Sequence, residues 1–255
     1  MESTPLPPNR PTKRGKIFYG WYIVIAAALS NAAVGGIMVY GVTAMVDPIY
    51  VAFGWTYAQI SLAITLRGVE NGVLNPVIGF LADRFSGRKL MFAGTLLACG
   101  GLFMLSRVSN LAMFYGAFII ITLGTSLTSH LVPLTVIMRW FRANAAKASA
   151  WFSIGIGLGA FTVPIVTLAI DAVGWQTALA MMAGIILVIA LPLVFVIRDR
   201  PEDSGMLPDG LEPDDIPQPA GEPVMEAAPE RYLSVGQAVR TRAFWQIGFA
   251  AMLWI

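Results

Sequence analysis

Arg67 and Glu70 are charged residues inside an apolar run of about 57–82, and Asn71 and Asn75 follow them. A spacing of three residues puts both charges on one helical face, close enough to pair. At ~1.5 Å per residue they stand about 24 Å and 20 Å from Asp83, which closes the run. Charge at such depth costs ~2.5–3.5 kcal/mol on insertion scales, so groups of this kind face a bundle interior or a watery cavity. There a guanidinium attracts an anion and a carboxyl carries a proton. His130 interrupts another apolar run, where a neutral imidazole hydrogen-bonds a carboxylate or relays a proton. Asn31 and Tyr40 are the weaker polar candidates in the first run. The structural alternative is an ion pair that only orients its helix and a histidine that only satisfies a neighbour.

Several chemistries are excluded. With a single cysteine, Cys99, and a single histidine there is no disulfide framework and no metal centre. No nucleophile–base set is visible, so the chain is not expected to be an enzyme, and no cofactor or nucleic-acid partner is expected. Gly155-Ile-Gly157-Leu-Gly159-Ala160 satisfies the dinucleotide fingerprint, but that fingerprint needs a preceding strand and a helix start in water. Inside an apolar helix, Gly155 and Gly159 predict a close helix–helix contact. Gly68 and Gly72 repeat the spacing, and Pro164 follows in the same run as Gly155.

A second polar cluster joins two apolar runs: Gly79, Asp83, Arg84, Arg88 and Lys89, within Gly79-Phe-Leu-Ala-Asp-Arg-Phe-Ser-Gly-Arg-Lys. Gly79 would let helices approach. A carboxylate and three cations at a helix end can pair with one another or with a neighbouring helix end. Pairs made in one conformation only bias an inward–outward equilibrium. The simpler reading of Arg84, Arg88 and Lys89 as topology charges leaves Asp83 and Gly79 unexplained.

The elements that position these residues follow from hydropathy. Of 255 residues, 56% are apolar and 13% charged, against about a quarter charged in a soluble domain. The apolar residues form six runs, at about 20–46, 57–82, 90–107, 111–138, 147–171 and 176–197. Each is long enough to cross a bilayer, and backbone satisfaction in hydrocarbon requires helices. The first run is too long for a signal-peptide core. Fifteen of the 17 Lys/Arg fall before the first run or on the even-numbered connections. Arg107 alone lies on the other side, and Arg67 is inside a run. The positive-inside rule then puts the N-terminus in the cytoplasm. Aromatic residues at run ends, among them Trp21, Trp55, Trp140, Phe141 and Trp175, predict interfacial belts. Residues 199–232 hold ten acidic residues and seven prolines, predicting a flexible or extended linker. A short amphipathic helix should follow to Thr241, with Val235, Ala238 and Val239 toward the membrane. The expected organisation is a cytoplasmic tail at 1–18, a six-helix bundle at 19–198, a linker at 199–243, and the start of a truncated seventh helix at 244–255.

The 79–89 stretch resembles the signature of the major facilitator superfamily, G-x-x-x-D-R-x-G-x-R-[RK]. Its second glycine is displaced: Ser86 stands in its place and Gly87 follows. Other stretches are similar to the monocarboxylate-transporter and oxalate–formate-antiporter branch. They are Phe53-Gly-Trp-Thr56, Arg139-Trp-Phe-Arg142, the 153–160 glycine run, Val173-Gly-Trp175 and Arg200-Pro-Glu-Asp-Ser-Gly-Met-Leu-Pro-Asp-Gly210. The resemblance covers about 18–255. It implies an all-α membrane protein: the N-terminal half of a twelve-helix fold, built as two three-helix inverted repeats. It also implies a secondary transporter of a small organic anion in the plasma (inner) membrane, by proton symport or anion exchange, with 79–89 latching the cytoplasmic side. The partners implied are the bilayer, the anion, protons and a missing six-helix half. Carriers of drugs, sugars or nucleosides are the alternative. A seven-helix receptor would put its N-terminus outside, against the charge bias.

Overall fold

A computed structural model describes residues 18–202, 205–210, 241 and 246. The described residues are helical with no strand. The helices are α1 (Tyr19–Gly35), a π-helical step (Gly36–Gly41), α2 (Val42–Phe53), α3 (Tyr57–Arg84), α4 (Gly87–Ser106), α5 (Leu111–Thr128), α6 (Leu131–Trp140), α7 (Ala145–Gly159), α8 (Thr162–Val173) and α9 (Trp175–Val196). Joined across their breaks, they give the six stretches expected from hydropathy. Five are long and apolar enough to cross a membrane; the sixth, α3, has the length, at 28 residues, but carries Arg67, Glu70, Asp83 and Arg84. The 233–241 helix and the run from 244 fall outside the described residues, apart from Thr241 and Gln246.

Three stretches are interrupted, and proline accounts for two of the interruptions. Pro133 has no N–H to give the Ser129 carbonyl four residues back, and the chain bends at Ser129–His130 before α6. Pro164 does the same to Ala160, where α7 ends. The first stretch widens into the π-helical step between α1 and α2, a local defect common at functional positions.

Packing is closest where small residues meet. A Cβ at Gly155 would run into the Ala28 backbone, and one at Gly159 would stand 2.8 Å from the Gly36 Cα. These glycines therefore bring α7 against α1. A Cβ at Gly68 or Gly79 meets nothing within 4 Å among the described residues. The expected glycine contact on α3 is absent there, because those positions face away from the bundle's packed surfaces. The surroundings of Gly72 lie outside what is described.

The core has two clusters, one at each end. At the end carrying Phe18 and the 85–87 and 141–144 turns (the basic end, hereafter), Trp140, Phe141 and Phe152 are fully buried with Ile23 and Met91. The expected interfacial placement of Trp140 and Phe141 is thus corrected. Both rings pack inward, Phe18 lying 5.5 Å from Phe141 and 5.8 Å from Trp140 between centroids. The indole Nε1 of Trp140 finds its acceptor inside the protein, donating to the Arg198 carbonyl at 2.8 Å. At the opposite end Trp55 is half-buried, stacked on Phe53 at 4.5 Å.

The linker also departs from expectation. Residues 199–202 and 205–210 run along the basic end in hydrogen-bonded contact with it.

Candidate functional site

α3 carries Arg67 and Glu70 on neighbouring faces, but they do not pair. The Arg67 guanidinium donates from Nη1 to the Met38 carbonyl at 2.9 Å, in the π-helical step. Glu70 lies toward α5 beside Thr122, whose hydroxyl donates to the Phe118 carbonyl at 2.9 Å. In place of the expected ion pair, Arg67 tethers α3 to the first stretch. A backbone carbonyl inside a bundle is a strong partner for a guanidinium, because both would otherwise be stranded from water.

Arg67 also lines a pocket of about 240 Å³ with Asn75, Thr125, Ser126, Ser129, His130 and Leu131. The Pro133-induced break makes this pocket polar. It exposes His130, which heads α6 in a non-helical conformation, so the imidazole is presented at an interruption rather than from a continuous helix. Among the described residues, Arg67 is the only fixed charge on these walls and no carboxylate lines them.

Asn31 reaches the same region from α1. A Cβ at Gly35 would stand 2.8 Å from the Asn31 Oδ1 and 3.8 Å from the Ser129 Oγ, so both side chains flank that glycine. Asn31 is 3% exposed. Its Nδ2 and the Ser129 Oγ are buried with no hydrogen-bond partner among the described residues. Buried donors are normally satisfied, and these two polar atoms lie near a pocket whose described lining carries the Arg67 charge. Tyr40 lies in the π-helical step outside the pocket lining. The Asn71 side chain lies outside the described residues. Ser129, Thr125 and Ser126 went unremarked in the sequence, where hydroxyls in apolar runs usually satisfy their own helix. Thr125 does so, donating to the Thr122 carbonyl at 3.0 Å.

The second cluster lies at the basic end. Asp83, Arg84 and Lys89 are exposed. Arg84 stacks over Phe80 at 5.6 Å and Arg88 over Phe195 at 4.9 Å, so the latch cations rest on aromatic faces rather than on Asp83. The Arg139 guanidinium, which drew no notice in the sequence, donates to the Ala82 carbonyl at 3.1 Å and fastens α6 to the end of α3. Gly87 is buried, and a Cβ there would lie 2.6 Å from Val136 Cγ2 and 3.1 Å from Asp199 Oδ1. The displaced glycine is thus required where it stands, while Ser86 donates its hydroxyl to Asp199. Among the described residues no group of three or more metal-ligating side chains occurs.

Comparison with known proteins places this geometry. The profile of the Major Facilitator Superfamily matches residues 20–255. The chain is 30% identical over 162 residues to the 2-nitroimidazole transporter of Escherichia coli (strain K12), covering 63% of this chain and 41% of that protein. It is 25% identical over 243 residues to the oxalate:formate antiporter of Oxalobacter formigenes, covering 93% and 53%. The chain thus spans about half the length of these curated relatives. A bacterial homolog of the human lysosomal transporter Spinster, solved inward-facing and unoccupied, superposes with a TM-score of 0.59 at 15% identity over 73% of this chain and 44% of that one. That likeness is one of fold.

Proposed function

The chain belongs to the Major Facilitator Superfamily, a family of membrane transporters, and from that premise we propose that it forms the N-terminal half of a carrier for a small organic anion. The observation that carries this reading is Arg67, the one fixed charge among the described residues of a polar pocket on whose described walls no carboxylate stands. An entering anion competes with the Met38 carbonyl for the guanidinium. The Asn31 amide and the Ser129 hydroxyl lie close enough to supply donors, and His130 supplies a neutral hydrogen bond or a proton. Glu70, beside Thr122 and apart from Arg67, is a carboxyl for proton coupling. The second half would close the pocket and cover the exposed faces of α3 and α7–α8. The exposed charges of 83–89 would latch the cytoplasmic side, and the basic end would face the cytoplasm of the plasma (inner) membrane. Binding shifts the inward–outward equilibrium only by its difference in affinity for the two states.

A second reading, a carrier of a neutral drug-like solute, is favoured by the likeness to the 2-nitroimidazole transporter. One assay separates them. The full-length protein is reconstituted in liposomes and offered labelled oxalate, formate, lactate and 2-nitroimidazole, with Arg67→Gln and Glu70→Gln beside it. The anion reading expects uptake of a carboxylate and a KM at least tenfold higher in Arg67→Gln. Uptake of the neutral solute alone, or unchanged kinetics in both variants, contradicts it.

A further inference from the structure

The stretch Arg200–Gly210 plays no part in the pocket, yet it makes specific contacts. α4 and α7 both start at the basic end, and neither has an N-cap residue whose side chain bonds its own first turn. Two aspartates from beyond α9 supply what is missing. Asp199 accepts the Arg88 N–H at 3.1 Å together with the Ser86 hydroxyl. Asp209 accepts the N–H groups of Arg142, Ala143 and Asn144 at 2.8, 2.7 and 3.2 Å, and the Asn144 Nδ2 at 3.4 Å. Arg88 lies in the first turn of α4, so Asp199 satisfies one of its orphan donors, whereas Asp209 gathers the amides of the 142–144 turn that leads into α7, near the positive end of its dipole. At the opposite end the start of α3 is capped by its own Thr56 and that of α5 by its own Asn110.

The described residues beside and between the two aspartates are held as well. The Arg198 carbonyl holds Trp140, Pro201 is buried, Gly205 N–H donates to Glu202, and Met206 N–H donates to Pro201. Asp209 adopts φ +61°, a left-handed conformation that costs a non-glycine residue energy and persists where its surroundings hold it.

We propose that the stretches 198–202 and 205–210 form a single clasp across the basic end, joining the start of α4 to the turn that leads into α7 through Asp199 and Asp209, so that α4 and α7 are held as one body. A clasp with two latches in series behaves differently from two independent caps, because opening either latch frees the whole strap. Each effect then contains the other, and they fail to add.

The test is hydrogen exchange and thermal unfolding of the full-length protein in detergent, for Asp199→Ala, Asp209→Ala and the double variant, with Glu202→Ala as control. Asp209→Asn, which keeps one acceptor oxygen, serves if an alanine variant fails to fold. The clasp predicts that Asp209→Ala speeds exchange at least tenfold at 142–144 and also several-fold at Arg88, and that Asp199→Ala does the reverse. The double variant should melt no more than a degree or two below the worse single. Asn at 209 should fall between, and Glu202→Ala should match the parent. Deprotection confined to each variant's own turn, with melting shifts that sum, would overturn the clasp and leave two separate caps. Unchanged exchange at 142–144 in Asp209→Ala or Asp209→Asn would overturn it outright.

Discussion

Arg67 is worth most where its guanidinium has a partner it can exchange. Lysine keeps the charge but not the planar fork, so Arg67→Lys should retain uptake with a KM raised several-fold, against tenfold or more for Gln. Initial-rate uptake in proteoliposomes measures both, and equal KM values for Lys and Gln would contradict a role for the charge. Asp209 gives a pH prediction. Partial burial pushes its carboxyl pKa up, but the N–H groups of Ala143, Arg142 and Asn144 outweigh this and hold it below the ordinary carboxylate range. Its folded pKa is depressed, so its stabilisation is complete above the unfolded carboxylate pKa and is lost as pH falls through the folded value. Melting temperature followed from neutral pH into the acid range should therefore decline more steeply for the parent than for Asp209→Ala, the two curves converging below the carboxylate range. Arg67 and His130 were legible in the sequence because charge or imidazole in an apolar run is conspicuous. Asp209 was not, being one of ten acidic groups in its segment, with backbone partners more than sixty residues away.

At the scale of elements, five of the six helical stretches were legible to within about three residues because hydrocarbon admits little else, while the first, expected to end at 46, continues to Phe53. Their breaks were harder to read. Pro164 was visible, but the cost of Pro133 falls on Ser129, and neither residue announces that a histidine will be presented there. Pro133→Ala restores an N–H to Ser129. It should close the bend, draw His130 back into a continuous helix and lower the maximal uptake rate severalfold with the protein still folded; an unchanged rate would detach the break from function. The α1–α7 contact offers a paired test. Gly155→Ala drives a methyl into the Ala28 backbone, whereas Gly157→Ala points into open space. Overpacking of this kind costs ~1–3 kcal/mol, so the first variant should lower the melting temperature by several degrees and the second should leave it unchanged. Equal shifts would contradict the packing described. The same sequence rule failed at Gly68, since spacing alone does not say which face of α3 meets a neighbour.

For the whole molecule, every functional inference depends on which end of the bundle faces the cytoplasm. The charge asymmetry, fifteen Lys/Arg against Arg107, is a statement about insertion, and it assigns the latch and the clasp to one compartment. Cys99 is buried, so a Cys99→Ala background leaves the chain open to single reporters. The decisive measurement is labelling of Ser109→Cys and Lys89→Cys by a membrane-impermeant maleimide, in intact and in permeabilised cells. The account predicts that Ser109→Cys reacts in intact cells, and that Lys89→Cys reacts only after permeabilisation. Labelling of Lys89→Cys from outside intact cells, with Ser109→Cys protected, would contradict it.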